Sequence, residues 1–140
     1  MSLVQLGWLF TIGVLAHNAE EALLLPSWSR QAGRWHRPVS DTQFRFAVSV
    51  LSAALLILMS AASFSMPRSV PAYLITGYVF AMLLNVLAPH LVASIAMGKY
   101  MPGTATAVLN SICLSEGYFS TAHSLTAMSS HARSLGVGRW

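Results

Sequence analysis

Hydrophobic positions along this chain fall into four long runs, at about residues 3–25, 44–66, 72–97 and 104–128. Each is near or above the ~20 residues that a helix needs to cross a hydrocarbon core of roughly 30 Å. The pattern predicts an all-α protein, a four-helix transmembrane bundle with an interfacial segment between helices one and two. Pro26 is expected to close the first span. In the linker 26–43, Trp28, Ala32 and Trp35 recur at helical spacing while Arg30, Arg34 and Arg37 mark another face, as in a short helix lying in the membrane interface. An ordinary loop with aromatic-belt anchors fits the same residues. The second span carries only Arg45 at its mouth, and its serines (Ser49, Ser52, Ser60, Ser63) sit among alanines, which suits close helix packing and no chemistry. The short connection from Met66 to Pro71 makes spans two and three antiparallel neighbours.

Two later features interrupt the apolar pattern. In the third span Pro89 removes the amide proton that the Asn85 carbonyl would accept, which predicts a kink beside His90. On an ideal helix Asn85 and His90 point about 140° apart, so the better site candidate of the two is His90. Between spans three and four, Pro102-Gly103 suits the centre of a type II turn. The fourth span then carries Gly103, Ala107, Ser111 and Ser115 at four-residue intervals, together with Glu116. The tail 129–140 is expected at the opposite surface.

Composition supports the same class. The chain of 140 residues is sized for a single domain; 55% of it is hydrophobic and 9% charged, with a mean hydropathy of +0.60. The net charge of +4 does not point to nucleic acid, because the basic residues flank apolar runs as topology signals do. Five of them (Arg30, Arg34, Arg37, Arg45, Lys99) fall on one side and three (Arg68, Arg133, Arg139) on the other. That leans the N-terminus outward; the expected location is the bacterial cytoplasmic membrane. The single Cys113 excludes a disulfide framework and a thiolate metal cluster within one chain. The first run, with no Lys or Arg before it and no cleavage-type sequence after it, reads as a retained span.

The unusual load is His17-Asn18-Ala19-Glu20-Glu21, inside the first span, which holds two of the four acidic residues. A charged group at the centre of a transmembrane helix costs about 2.5–3.5 kcal/mol on insertion scales, so such groups face a protein interior and find partners there. From the inner ends of their spans, His17 lies about 12 Å deep, Glu20 and Glu21 about 6–8 Å, His90 about 10 Å, and Asn85 and Glu116 about 18 Å. Three spans thus bring costly residues to one half of the membrane. His17 and Glu21 stack one turn apart, with Glu20 on the adjoining side. With His90 they form a two-histidine, one-carboxylate set suited to a divalent metal, zinc or iron. Glu20 is placed like the general base of the H-x-x-E-H metallopeptidases. If Glu20, Glu21 and Glu116 all bind, two metals in a carboxylate-bridged di-iron arrangement are conceivable, although such sites normally offer more carboxylates. Without metal, the glutamates share one proton and the remaining charge pairs with His17. His36, His123 and His131 read as packing or surface histidines, and Glu116 and Asn85 fit either the site or a helix-packing hydrogen bond.

At these residues the chain resembles the HXXEE family, small multi-span membrane proteins named for the motif that stands here at His17–Glu21. The family's second histidine matches His90, and its Y-x-P-G element matches Tyr100-Met101-Pro102-Gly103, in the same order. The resemblance implies a site built from these three elements and a suspected enzymatic activity, with no defined reaction. The combined expectation is a membrane-embedded, metal-dependent enzyme acting on a lipophilic or small membrane-permeant substrate. His17, Glu21 and His90 are its ligands, Glu20 its base and Tyr100 a nearby hydrogen-bond donor; hydrolysis is preferred to redox chemistry. The alternatives are a metal-free Glu/His proton-transfer isomerase, a di-iron oxidoreductase, and an accessory subunit or ligand carrier within a larger membrane complex. Self-association as a homo-oligomer is compatible with all of them.

Overall fold

A computed structural model describes residues 2–33, 37–66 and 69–112, and within them every regular element is helical, with no strand. The helices are α1 (Leu3–Ser29), α2 (Asp41–Ser63), α3 (Val70–Asn85), α4 (Val92–Met97) and α5 (104–112), with a π-helical turn, Val86–Leu91, joining α3 to α4. The rest of the fourth apolar run, including Cys113, Ser115, Glu116 and His123, and the tail with His131 lie outside the described residues, as do Arg34, Trp35 and His36 in the linker.

Helix α1 starts with a capping box. The Ser2 hydroxyl accepts from the Gln5 amide at 3.2 Å, and the Gln5 side chain accepts from the Ser2 amide at 2.8 Å. Its other end departs from expectation, because Pro26 lies inside the helix and does not close it. The proline deprives the Ala22 carbonyl of its helical donor. Arg45 Nε of α2 donates to that same carbonyl at 3.1 Å, which replaces the missing bond and lets α1 run on to Ser29. Arg45→Met is therefore expected to destabilise the fold by about 1 kcal/mol, read as a lower thermal midpoint in detergent. Arg30→Met, which removes only the exposed pair with Asp41, is expected to change it less.

The extension of α1 absorbs Trp28 into the first helix, and residues 37–40 are not helical. The described part of the linker thus holds a chain that folds back, with the Val39 amide donating to Ser29 Oγ at 3.1 Å. Helix α2 starts at Asp41, three residues earlier than the apolar pattern suggests; a carboxylate in the first turn complements the helix dipole.

Around α1 the other helices are arranged by paired contacts. Gly7 meets Met59, Trp8 Nε1 donates to Ser63 Oγ at 3.1 Å, and Asn18 Nδ2 donates to Ser52 Oγ at 2.9 Å, so α1 and α2 run antiparallel. Helix α3 runs parallel to α1, since Phe10 meets Tyr78 edge-on at 6.4 Å and His17 meets His90 further along. Helix α5 runs antiparallel to α1, with Asn110 over Gly13 and Thr106 beside His17. The core is Phe10, Val14 and Leu55, against which Ile75, Tyr78, Val79 and Met82 pack.

The kink expected at Pro89 is present, and its centre is one residue earlier. Ala88 adopts φ −138°, ψ 117°, the extended conformation toward which a following proline biases its predecessor. The chain then resumes a helix through Met97 and stops at Gly98, whose φ of 59° is the left-handed conformation that commonly terminates helices.

Candidate metal centre

The turn after α4 carries the next part of the site. Thr104 N–H donates to the Met101 carbonyl at 3.1 Å, and Gly103 has φ +91°, as a Pro-Gly turn requires. This places Gly103 directly over the cluster. A Cβ on it would lie 2.8 Å from both His17 Cε1 and His90 Cε1, and 3.0 Å from Glu21 Cγ. The loop thus closes one side of the site, and no side chain fits at this point.

Below it His17, Glu21 and His90 converge, each offering a ligand atom, with all of these atoms within 4.8 Å of one another. Both histidines are fully buried, at 1% and 0% exposure. Their rings meet edge to face, 5.0 Å apart. Glu21 bridges them, with Oε1 at 3.1 Å from His90 Nε2 and Oε2 at 3.7 Å from His17 Nε2.

The hydrogen bonding of the two rings separates their nitrogens. His17 Nδ1 donates to the Gly103 carbonyl at 3.0 Å and lies 3.3 Å from Thr106 Oγ1. With the proton on Nδ1, the lone pair is on Nε2, facing Glu21. His17 Nε2 and both ring nitrogens of His90 are buried without a hydrogen-bond partner. The 3.1 Å approach of Glu21 to His90 Nε2 is an ion-pair distance but lacks the alignment of an N–H donor bond. A buried polar atom without a partner costs roughly 1–3 kcal/mol. A histidine whose second nitrogen donates to a backbone carbonyl is the usual arrangement of a metal ligand. The donor set, its spacing and the orphaned nitrogens therefore fit a divalent cation with nitrogen and oxygen ligands.

Glu20 is held elsewhere. Its Oε1 accepts from the Gly103 amide at 3.0 Å and from the Tyr100 hydroxyl, and its Oε2 accepts from Thr106 Oγ1 at 2.7 Å. The expected base thus faces the loop and the start of α5, where the positive end of the helix dipole favours a carboxylate. Tyr100, expected near the site as a donor, reaches it through Glu20, and its oxygen also accepts from the Ala105 amide at 3.3 Å. Burial, and then the bond to Glu20, hold the Tyr100 phenol above its usual pKa, so it remains a donor at neutral pH. Asn85 ends α3 and is half-buried. Glu116 lies outside the described residues.

Sequence reasoning overlooked Thr106, which touches both His17 and Glu20; a threonine two residues into a helix carries no signal of its own. Gly103 was legible as a turn residue, and its contact with the two histidines was not.

Helices and loop together define a class: an all-helical protein with a buried His/Glu/His cluster roofed by a Pro-Gly turn. The chain belongs to the HXXEE family, described as "Protein of unknown function with HXXEE motif", whose profile matches residues 8–115. It is also similar to the uncharacterised protein YrkK of Bacillus subtilis (strain 168), with 38% identity over 105 residues. That alignment covers 74% of this chain and 65% of the relative, so the chain spans less than two thirds of the protein it matches. No solved structure matches it.

Proposed function

We propose that this protein is a membrane-embedded, metal-dependent enzyme in which His17, Glu21 and His90 hold a zinc or iron ion. The observation that carries the reading is the convergence of three ligand atoms within 4.8 Å, with histidine nitrogens buried and unbonded around them. A metal held there by His17, Glu21 and His90 would supply Lewis acidity, and two histidines with one glutamate match a known hydrolase set. This chain's own residues orient the ligands: Gly103 fixes the His17 ring through its carbonyl, and Glu21 stands between the two imidazoles, where its carboxylate would offset part of the ion's charge.

The membrane setting draws on two helices, Asp41–Ser63 and the kinked Val70–Met97, both long and apolar enough to cross a bilayer. Their shares buried inside the protein are only 17% and 6%, so most of their apolar surface needs another cover. In the proposed arrangement α1 and the fourth run complete a four-span bundle, with the N-terminus outside, in a bacterial cytoplasmic membrane. A narrow crevice with room for about one water lies beside His17, bordered by Phe10, Met82, Val86, Ala107, Asn110 and Ser111. In this reading a lipophilic or small membrane-permeant substrate enters from the bilayer and must widen it to reach the cluster.

Metal analysis of protein purified in mild detergent tests the proposal. About one equivalent of zinc or iron in the wild type, absent from His17→Ala, is the expected result; a well-folded wild type that takes up no divalent metal sinks it. A second reading, metal-free proton transfer between Glu21 and His90, draws on their 3.1 Å contact. Activity that survives chelators separates the two.

A further inference from the structure

The two adjacent glutamates of the motif point at different partners, and only one of them belongs to the ligand cluster. Glu20 collects three donors, all from one stretch of seven residues: the Tyr100 hydroxyl, the Gly103 amide and the Thr106 hydroxyl. Two other contacts lock the same stretch. Met101 is buried, its amide donating to Ser94 Oγ at 3.2 Å, and Thr104 Oγ1 lies 3.1 Å from Ser94 Oγ. Those contacts tie the loop to α4; among the bonds to the loop's described residues, Glu20 and His17 supply the ties to α1. The loop must be held closely, because Gly103 forms the roof of the cluster and its carbonyl fixes the His17 ring.

We infer that Glu20 is a positioning residue, the clamp that fastens the Tyr100–Thr106 segment of the Y-x-P-G loop onto α1 and so sets the orientation of the His17 ring beneath it. Glu21 serves the cluster and Glu20 serves its roof. This accounts for the pairing of two carboxylates in one helical turn: spacings of three and four from His17 share a face, but only the fourth reaches between the imidazoles. It also accounts for the joint presence of a helix motif and a loop motif about 80 residues apart, since each supplies what the other needs. The clamp rests on geometry alone; its effect on an ion rests on the metal reading above.

Two substitutions separate a clamp from a base. In Glu20→Gln, the amide oxygen still accepts from Gly103 and Tyr100. The amide nitrogen donates to Thr106, whose hydroxyl turns to the Gly103 carbonyl, already 3.1 Å away. Glu20→Ala loses all three bonds.

The test is amide hydrogen exchange across residues 98–106, with cobalt(II) titration followed by its visible absorption, on the full chain in detergent. Glu20→Ala is expected to exchange the Gly103 region at least about 10-fold faster, as loss of a hydrogen-bonded tie implies. It should also bind cobalt about 10–100-fold more weakly, with a changed spectrum. Glu20→Gln is expected to stay within about 3-fold of wild type in both, where one hydrogen bond is rearranged and none is lost. Wild-type exchange in Glu20→Ala overturns the inference, and so does a glutamine variant as impaired as the alanine one. If wild type takes up no cobalt, the metal reading fails and the exchange rates still decide the clamp. If Glu20→Ala does not fold, Tyr100→Phe and Thr106→Val each remove one arm and should each accelerate exchange; if neither does, the inference is wrong.

Discussion

Replacing Gly103 by alanine is expected to abolish metal retention and to lower the thermal midpoint by on the order of 10 °C. Two separate costs add. A φ of +91° lies where a side chain is strained, worth about 1–3 kcal/mol. The new methyl would also press against His17 Cε1 and His90 Cε1 at 2.8 Å and against Glu21 Cγ at 3.0 Å. Two of these atoms belong to rigid buried rings and the third lies near the base of its side chain, so they yield only by moving the proposed ligands. Overpacking of this kind costs about 1–3 kcal/mol more. Gly98 separates the two effects, because its φ of +59° is also left-handed and nothing lies within 4 Å of its absent Cβ. Gly98→Ala should therefore lose only the conformational part and keep its metal. Thermal unfolding and metal content, measured on both variants, check this. A Gly103→Ala protein that melts and binds like wild type would mean the loop does not roof the cluster.

The second large effect is expected at the proposed ligands. His90→Ala should lower divalent-metal affinity by more than about 100-fold, beyond the range typical of residues that only orient a ligand. Glu21→Gln should do nearly as much while leaving packing almost unchanged, because an amide keeps the shape of the carboxylate and loses its charge. Stability should separate the two variants more widely, with His90→Ala the more damaging. His90 is fully buried, and its truncation opens space under the loop, whereas Glu21 keeps 14% of its side chain exposed. A calorimetric titration of each apo protein with zinc, beside its thermal midpoint, reads both quantities. Metal affinity unchanged in His90→Ala would remove His90 and the Val86–Leu91 turn from the site, and with them the proposed enzyme.

The expected effects rest on contacts that join distant parts of the chain. His17 and Gly103 are 86 positions apart, and Glu20 and Thr106 are also 86 apart. Each local pattern tells only what its own helix or turn does. Pro102-Gly103 announces a turn with a positive φ, and Ala88 before Pro89 announces a break, because those rules concern neighbours in the chain.

What the sequence determined by itself was therefore the helical character, the break at Pro89, the Pro-Gly turn and the identity of the costly polar residues that apolar helices must bring together. His17, Glu21 and His90 are legible as candidates because a charge or imidazole in such a run needs a partner. Tertiary structure decided which partner each received. Spacings of three and four put both glutamates near the His17 face, and only the position of α5 turned Glu20 to the loop while Glu21 met His90. The extent of α1 was settled the same way: a proline that ends an isolated helix is tolerated here because an arginine from the next helix caps the carbonyl it leaves free. The physical reason is common to both cases. Helical periodicity fixes a residue's direction relative to its own axis, and only packing fixes what stands in that direction.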